Sequence, residues 1–194
     1  MNIVYPKNVP MMVLPGVLLL PHQLLPLHIF EDKYKTMIED VIHGDRIFGI
    51  CDDCIYSPIE QNRIASVGLL HHCEKQEEGT SNLMLLGLQK VHMLQLNEDK
   101  SYPRVEINPI DPPSLDKRQT DVIHEHIIER IDPLLPDDPK ANEVIKTMQQ
   151  MQNLDLLIDY AVQLIQTHPN RKKKIFQTIE IKEKMALFNT LFEN

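Results

Sequence analysis

The strongest constraint on the fold is a change of hydrophobic pattern at the proline-rich segment from Asp111 to Ser114. Before it, apolar runs are short and bounded by proline or turn residues, which is typical of strands. After it, apolar residues recur at intervals of three and four, the spacing of one helix face. The sequence therefore predicts an α+β chain, with a β-rich subdomain at residues 1–112 and an α-helical bundle at residues 113–194.

The β-rich half contains one predicted helix. From Glu31 the apolar residues follow a helical period, and Gly44 is placed to end the helix. Around this helix we expect extended segments at residues 8–20, 24–30, 46–52, 64–74, 82–86, 90–96 and 102–107. Their number and spacing predict a mostly antiparallel sheet that closes, or nearly closes, on itself, with the helix at one end.

Helix starts in the second half are marked by capping residues. Asp138 followed by Pro139 predicts an N-cap and a first helical residue. Asn153 is placed to cap the next helix, and His168-Pro169 ends it. The only basic run, Arg171 to Lys174, is expected to be a solvated helix face rather than an anion or RNA contact.

Charge and composition narrow the class of partner and the compartment. The net charge is −8, tryptophan is absent and aromatic residues make up 5% of the chain. Nucleic acids are bound through clustered lysine and arginine and through exposed aromatic rings, so no nucleic acid partner is expected. Three cysteines, no secretory signal and no uninterrupted apolar run predict a cytoplasmic protein with free thiols and no membrane partner.

A specific motif lies at Leu24 to Tyr34, with the sequence LLPLHIFEDKY. An extended Leu-Pro-Leu segment turns here through Ile-Phe-Glu into a helix that carries tyrosine. The motif resembles the N-terminal, substrate-binding domain family of Lon proteases. Weaker similarity continues through Arg46 to Gly49, Val67 to Leu70, Asn82 to Val91, Tyr102 to Glu106, Leu157 to Ala161 and Ile181 to Met185.

The resemblance implies a PUA-like pseudo-barrel followed by a helical bundle, which together form one Lon N-terminal-like unit that recognises protein substrates in proteolysis. The matching residues are expected to have structural rather than binding roles, and they are Pro26, Leu27, Ile29, Phe30, Glu31, Tyr34, Gly49, Gly68 and Gly87. Two positions depart from the family pattern. His22 stands where the family usually has glycine, and Lys90 stands where it usually has arginine.

The catalytic parts of a Lon protease are missing from this sequence. Its six glycines include no G-x-x-x-x-G-K-[S/T] loop, and no serine and lysine are arranged as a peptidase dyad. The neighbouring acidic pairs fall in predicted turns, where their side chains diverge. We therefore expect a stand-alone, non-enzymatic member of the family that needs no cofactor.

Zinc is a weaker candidate. Thiolate and imidazole groups at a spacing that can form a tetrahedral zinc site occur at Cys51, Cys54, His71 and Cys73. Structural zinc usually takes its ligands from turns, however, whereas Cys51 ends one predicted strand and His71 and Cys73 lie within another. Small apolar thiols in a reduced core beside surface histidines are the favoured interpretation.

Two classes of function remain. The first is a protein- or peptide-binding module that recognises unfolded or degron-bearing substrates, with an extended peptide added at a barrel edge or held in the groove between barrel and bundle. The second is an RNA-binding or RNA-modification accessory protein, which a PUA-like fold allows. No binding residue, oligomeric state or physiological partner follows from the sequence.

Overall fold

A computed structural model describes residues 4–56 and 63–193, with only the backbone for Asp53 and Cys54. The chain divides into two compact units, Met1–Ile110 and Asp111–Asn194. In the described part of the chain, the first unit contains strands and one α-helix, and the second is helical. The predicted α+β class is confirmed.

The first unit is built on a sheet that closes on itself. Its described strands are β1 (Asn8–Val13), β2 (Leu24–Ile29), β3 (Ile47–Cys51), β4 (Ile64–Lys75), β5 (Ser81–Asn97) and β6 (Arg104–Pro109). The strand order is β2-β5-β4-β3-β1-β6, and β5 also pairs with β6. Strands β5, β4, β3, β1 and β6 therefore form a closed ring. Strand β2 lies outside this ring and pairs with the first part of β5. Of the pairs that the structure describes, only β1 with β3 is parallel, which confirms a mostly antiparallel pseudo-barrel.

Strand β5 corrects two predicted segments. Residues 82–86 and 90–96 are parts of one 17-residue strand, and no turn interrupts it at Gly87. Gly87 stays paired with Gly68 of β4, and the register with β4 shifts at two irregularities. The first part of β5 pairs with β2 and the second part pairs with β6. One continuous strand therefore belongs to the ring and also pairs with β2.

The first predicted strand is shorter than expected. Strand β1 ends at Val13 rather than Leu20, because Pro15 and Gly16 follow and Gly16 has a φ of 78°. A positive φ belongs to turns and not to strands. Residues 14–23 are therefore a connection.

Both faces of β3 are buried. Phe48 and Ile50 pack in a cluster with helix α1 (Asp32–His43), whereas Ile47 and Cys51 pack in a second cluster on the other face. The helix buries the apolar stripe that its period predicted, namely Tyr34, Met37, Ile38 and Val41, and it ends at the predicted Gly44. The hydroxyl oxygen of Tyr34 accepts a hydrogen bond from the backbone nitrogen of Val13 at 3.0 Å, which ties the helix to the end of β1.

The second unit consists of helices with side-chain caps. They are α2 (Lys117–Ile131), α3 (Pro139–Gln150), α4 (Leu154–Leu164), α5 (Pro169–Gln177) and α6 (Ile181–Asn189). The predicted caps are confirmed, since the side chains of Asp138 and Asn153 accept hydrogen bonds from Ala141 and Leu156 at 2.8 and 3.3 Å. None of the described helices combines the length and the apolar content that crossing a bilayer requires.

Candidate functional site

A groove runs over the outer face of β2, β5 and β4. Side chains alternate between the faces of a strand, and in β2 Leu25 and Leu27 pack against the core that contains α1 whereas Leu24 and His28 are exposed. The groove has a volume of about 330 Å³, and its lining residues are Pro26, Leu27, His28, His72, Glu74, Asn82, Leu83 and Met84. We call this surface the sheet-face groove. Its volume is at the low end for a ligand pocket, which suits a few side chains rather than a large cofactor.

Exposed apolar side chains extend the groove along β2. Leu24 is 48% exposed and Phe30 is 62% exposed, although residues of this size and type are usually buried. The rings of His28 and Phe30 stack with their centroids 6.2 Å apart. Together with Pro26 and Met84, these residues form a partly apolar outer surface on an otherwise acidic chain. Such surfaces often mark binding sites.

One end of the groove is polar. Nδ1 of His28 donates a hydrogen bond to Oδ1 of Asn82 at 2.7 Å. Glu74 lies opposite Asn82 on β4, and His72 lies opposite Met84. The β4–β5 turn, with Glu77 and Glu78 exposed, follows directly beyond this end.

Strand β2 also has a free edge. Among the described residues it pairs with β5 alone. Pro26, in the middle of β2, has no backbone N–H, and proline is found in sheets where its nitrogen faces away from the ladder. The free edge therefore lacks a central hydrogen-bond donor, which weakens strand addition there.

The residues of the Leu-Pro-Leu motif occupy three different environments. Pro26 and Leu27 line the groove, and Phe30 is exposed beside it. Ile29 and Tyr34 are buried in the core with α1. Glu31 is the N-cap position of α1 without a side-chain capping bond, and it forms an ion pair with Lys33 at 3.2 Å. The structural role predicted for this set stays a prediction, and the exposure of Phe30 makes it a candidate contact residue.

The three motif glycines lie at close approaches between neighbouring segments. A Cβ at Gly87 would overlap the backbone oxygen of Leu20. At Gly49 it would meet the side chain of Met11, and at Gly68 that of Leu85. These positions are therefore explained by packing.

The zinc candidates are spread over the sheet unit. Cys51 is buried in one core cluster, whereas Cys73 packs against the other. His71 is exposed at a register irregularity of β4, and the side chain of Cys54 lies outside the described residues. In the part of the chain that the structure describes, no three His, Cys, Asp or Glu residues are grouped to hold a metal ion.

A second pocket, of about 180 Å³, lies beside Asp40 of α1. Lys100 and Tyr102 donate hydrogen bonds to Oδ2 of Asp40 at 2.7 and 2.6 Å, and these bonds hold the pKa of Asp40 below its usual value. Burial, and then the hydrogen bond to Asp40, raise the pKa of Tyr102. Arg104 pairs with Asp99 at 3.0 Å. These charged groups pair with one another and link α1 to the β5–β6 connection. This pocket therefore offers less to a partner than the sheet-face groove does.

Sequence reasoning did not identify the remaining groove residues, namely His28, His72, Glu74, Asn82, Leu83 and Met84, or the adjoining Leu24. One signal was present in the sequence. The segment Leu24 to Ile29 has apolar residues at both odd and even positions, whereas a strand with one solvated face alternates. In the structure the even positions Leu24, Pro26 and His28 are exposed on the outer face.

Comparisons with known proteins agree with this architecture. The N-terminal domain of a Mycobacterium avium complex Lon protease superposes with a TM-score of 0.74 at 12% identity, covering 97% of this chain and 100% of that one. A Lon N-terminal domain protein from Xanthomonas campestris superposes with a TM-score of 0.64 at 14% identity, covering 95% and 98%. At these identities the likeness concerns the fold.

Sequence relatives point the same way. The Lon protease of Dictyoglomus thermophilum is 22% identical over 189 residues, which are 93% of this chain and 23% of that protein. For the Lon protease of Desulfosudis oleivorans the identity is 23%, over 91% of this chain and 22% of the relative. The chain thus spans less than a quarter of the length of these relatives. The family model described as "ATP-dependent protease La (LON) substrate-binding domain" matches residues 8–193, and the chain therefore belongs to this family.

Proposed function

We propose that this chain is a non-catalytic polypeptide-binding module, and that the sheet-face groove holds an extended, apolar segment of an unfolded or degron-bearing protein. The observation that carries the proposal is the exposure of Leu24 and Phe30 beside a groove lined by Pro26 and Met84. Family membership supports a role in substrate binding. Because the matched relatives are Lon proteases, we place this binding step in proteolysis or protein quality control.

The groove fits an extended chain better than a folded surface. In an extended segment, side chains on one side repeat about every 7 Å, so neighbouring pockets on a sheet can take alternate residues. Unfolded proteins expose apolar side chains that folded proteins bury. A shallow apolar groove therefore binds unfolded segments selectively, without requiring a long specific sequence.

Binding across the sheet face is favoured over strand addition. The missing N–H of Pro26 interrupts the free edge of β2. The apolar side chains of Leu24 and Phe30 are instead exposed on or beside the groove. Most of the affinity is then expected from apolar burial rather than from backbone hydrogen bonds.

The proposal is tested by fluorescence anisotropy, with the protein titrated into a labelled, permanently unfolded polypeptide. The folded counterpart and a structured RNA serve as controls. We expect selective, saturable binding to the unfolded chain and at least tenfold weaker binding by a Leu24→Ser/Phe30→Ser variant, which corresponds to about 1.4 kcal/mol. The matched control is Val122→Ser/Leu134→Ser, which removes two exposed apolar side chains from the helical unit.

Two results would contradict the proposal. Unchanged affinity of the Leu24→Ser/Phe30→Ser variant, with its fold verified by circular dichroism, would exclude the sheet-face groove as the binding site. Saturable binding to RNA alone would favour an RNA-binding function instead.

A further inference from the structure

We infer that the sheet-face groove prefers segments in which a lysine or arginine neighbours the apolar residues, because one end of the groove carries unneutralised negative charge. This inference rests on the proposed function and specifies the substrate class. It depends on Glu74 in the groove and on Glu77 and Glu78 in the adjoining turn.

The acidic residues at this end are not balanced by nearby cations. Among the residues that the structure describes, no Lys or Arg nitrogen lies within 4.0 Å of a carboxylate oxygen of Glu74, Glu77 or Glu78. All three residues are exposed. Their charges are therefore available to a partner.

The lysines of the same region are already paired. Lys75, the neighbour of Glu74, pairs with Glu39 at 3.1 Å. In the first turn of α1, Lys33 pairs with Glu31 at 3.2 Å and Lys35 pairs with Asp32 at 3.1 Å. These pairs leave the groove end with a surplus of negative charge, in keeping with the overall charge of −8.

The order of the acidic residues suits an extended peptide. Glu74 lies near the end of β4, and Glu77 and Glu78 lie in the turn that follows Lys75. Apolar side chains seated near Pro26 and Met84 would place a following residue beside Glu74 and the next ones beside the turn. A basic side chain there gains attraction to the carboxylates, and the acidic end also speeds encounter with cationic segments.

The complementary charge excludes other segments. An acidic residue next to the apolar ones would be placed against Glu74 and repelled. The groove then distinguishes two equally apolar segments by their flanking charge. Because these carboxylates are exposed, the preference is expected to weaken as salt screens them.

The test compares two labelled peptides with the same apolar residues, one flanked by lysines and one by serines. We expect the lysine peptide to bind the full chain about five- to tenfold more tightly at low salt, and about twofold more tightly at 0.5 M salt. A Glu74→Gln/Glu77→Gln/Glu78→Gln variant should lose this preference, so that its affinities for the two peptides become equal. The matched control, Glu125→Gln/Glu129→Gln/Glu143→Gln, removes the same charge from exposed positions of the helical unit and should keep the preference.

The outcomes separate the two proposals. Equal binding of both peptides, or a preference that survives the three substitutions at the groove end, would overturn the charge preference and leave the binding function standing. If neither peptide binds, the proposed function fails and this inference fails with it.

Discussion

At the scale of single residues, His22 shows how a side chain is accommodated at a position that favours glycine. It is the third residue of a turn in which Gln23 N donates to Leu20 O at 3.1 Å, and its φ is 66°. Its backbone nitrogen donates to Gly87 O, and Gly87 N donates to Gln23 O, both at 2.8 Å. The turn is thus held against β5, and these hydrogen bonds keep His22 in a left-handed conformation that is costly for a residue with a Cβ.

Replacing His22 by glycine should stabilise the protein. The left-handed conformation costs about 1–2 kcal/mol for a non-glycine residue, and part of the gain is offset by the greater freedom of glycine in the unfolded chain. We expect His22→Gly to raise the free energy of unfolding by about 0.5–1 kcal/mol, measured by urea denaturation. His22→Val, which is β-branched, should lower it. Equal effects of the two substitutions would show that backbone strain at this turn does not limit stability.

At the scale of elements, helices α4 and α6 are joined by a buried ionic cluster. Lys184 is 0% exposed, and its Nζ lies 2.5 Å from Oδ1 of Asp155 and 2.7 Å from Oδ1 of Asp159. It also donates to the backbone oxygen of Asp155 at 3.3 Å. Asp159 and Lys184 both belong to segments that resemble the family in sequence, so this cluster explains polar residues in an otherwise apolar core.

Removing the cation should destabilise the helical unit strongly. Lys184→Met leaves two buried carboxylates without their lysine, and the loss of one partner of a buried ion pair costs about 3–5 kcal/mol. Lys182→Met, at an exposed position of the same helix, should change stability by less than about 0.5 kcal/mol. Denaturant unfolding followed by circular dichroism at 222 nm measures both. Similar midpoints for the two variants would mean that the cluster contributes little to stability.

At the scale of the whole molecule, each unit has a core of its own. The described residues form two apolar clusters within the sheet unit and one within the helical unit. The helical core combines buried residues from α2, α3, α4, α5 and α6. A chain segment with its own core and capped helices meets the requirements for folding by itself.

We therefore expect a fragment from Asp111 to Asn194 to be helical and to unfold cooperatively. Circular dichroism measures the helix content, and denaturant titration measures the cooperativity. The same fragment with Lys184→Met should unfold at a clearly lower denaturant concentration. Helical signal without a cooperative transition would contradict an independent core in this unit.

Local signals in the sequence were sufficient to predict most helices and strands. Helix α1 ends at Gly44, and α3 and α4 begin at Asp138 and Asn153, because capping depends on residues within one turn. The family motif was recognisable for a similar reason, since it is contiguous and its Pro26 restricts the local backbone. Residues 82–86 and 90–96 were separated wrongly, because glycine in a strand also marks a close approach of another segment.

The sequence by itself determined the α+β class, the end of α1, the starts of α3 and α4, and the family, because these depend on periodicity, caps and a contiguous motif. Only the tertiary structure decided that one strand serves both β2 and β6, that Lys184 meets Asp155 across 29 positions, and that the outer face of β2 forms a groove with β4. These features join residues that are distant in the sequence. Local patterns contain no information about which distant segments will pair, and the groove forms where strand pairing brings residues of β2, β5 and β4 side by side.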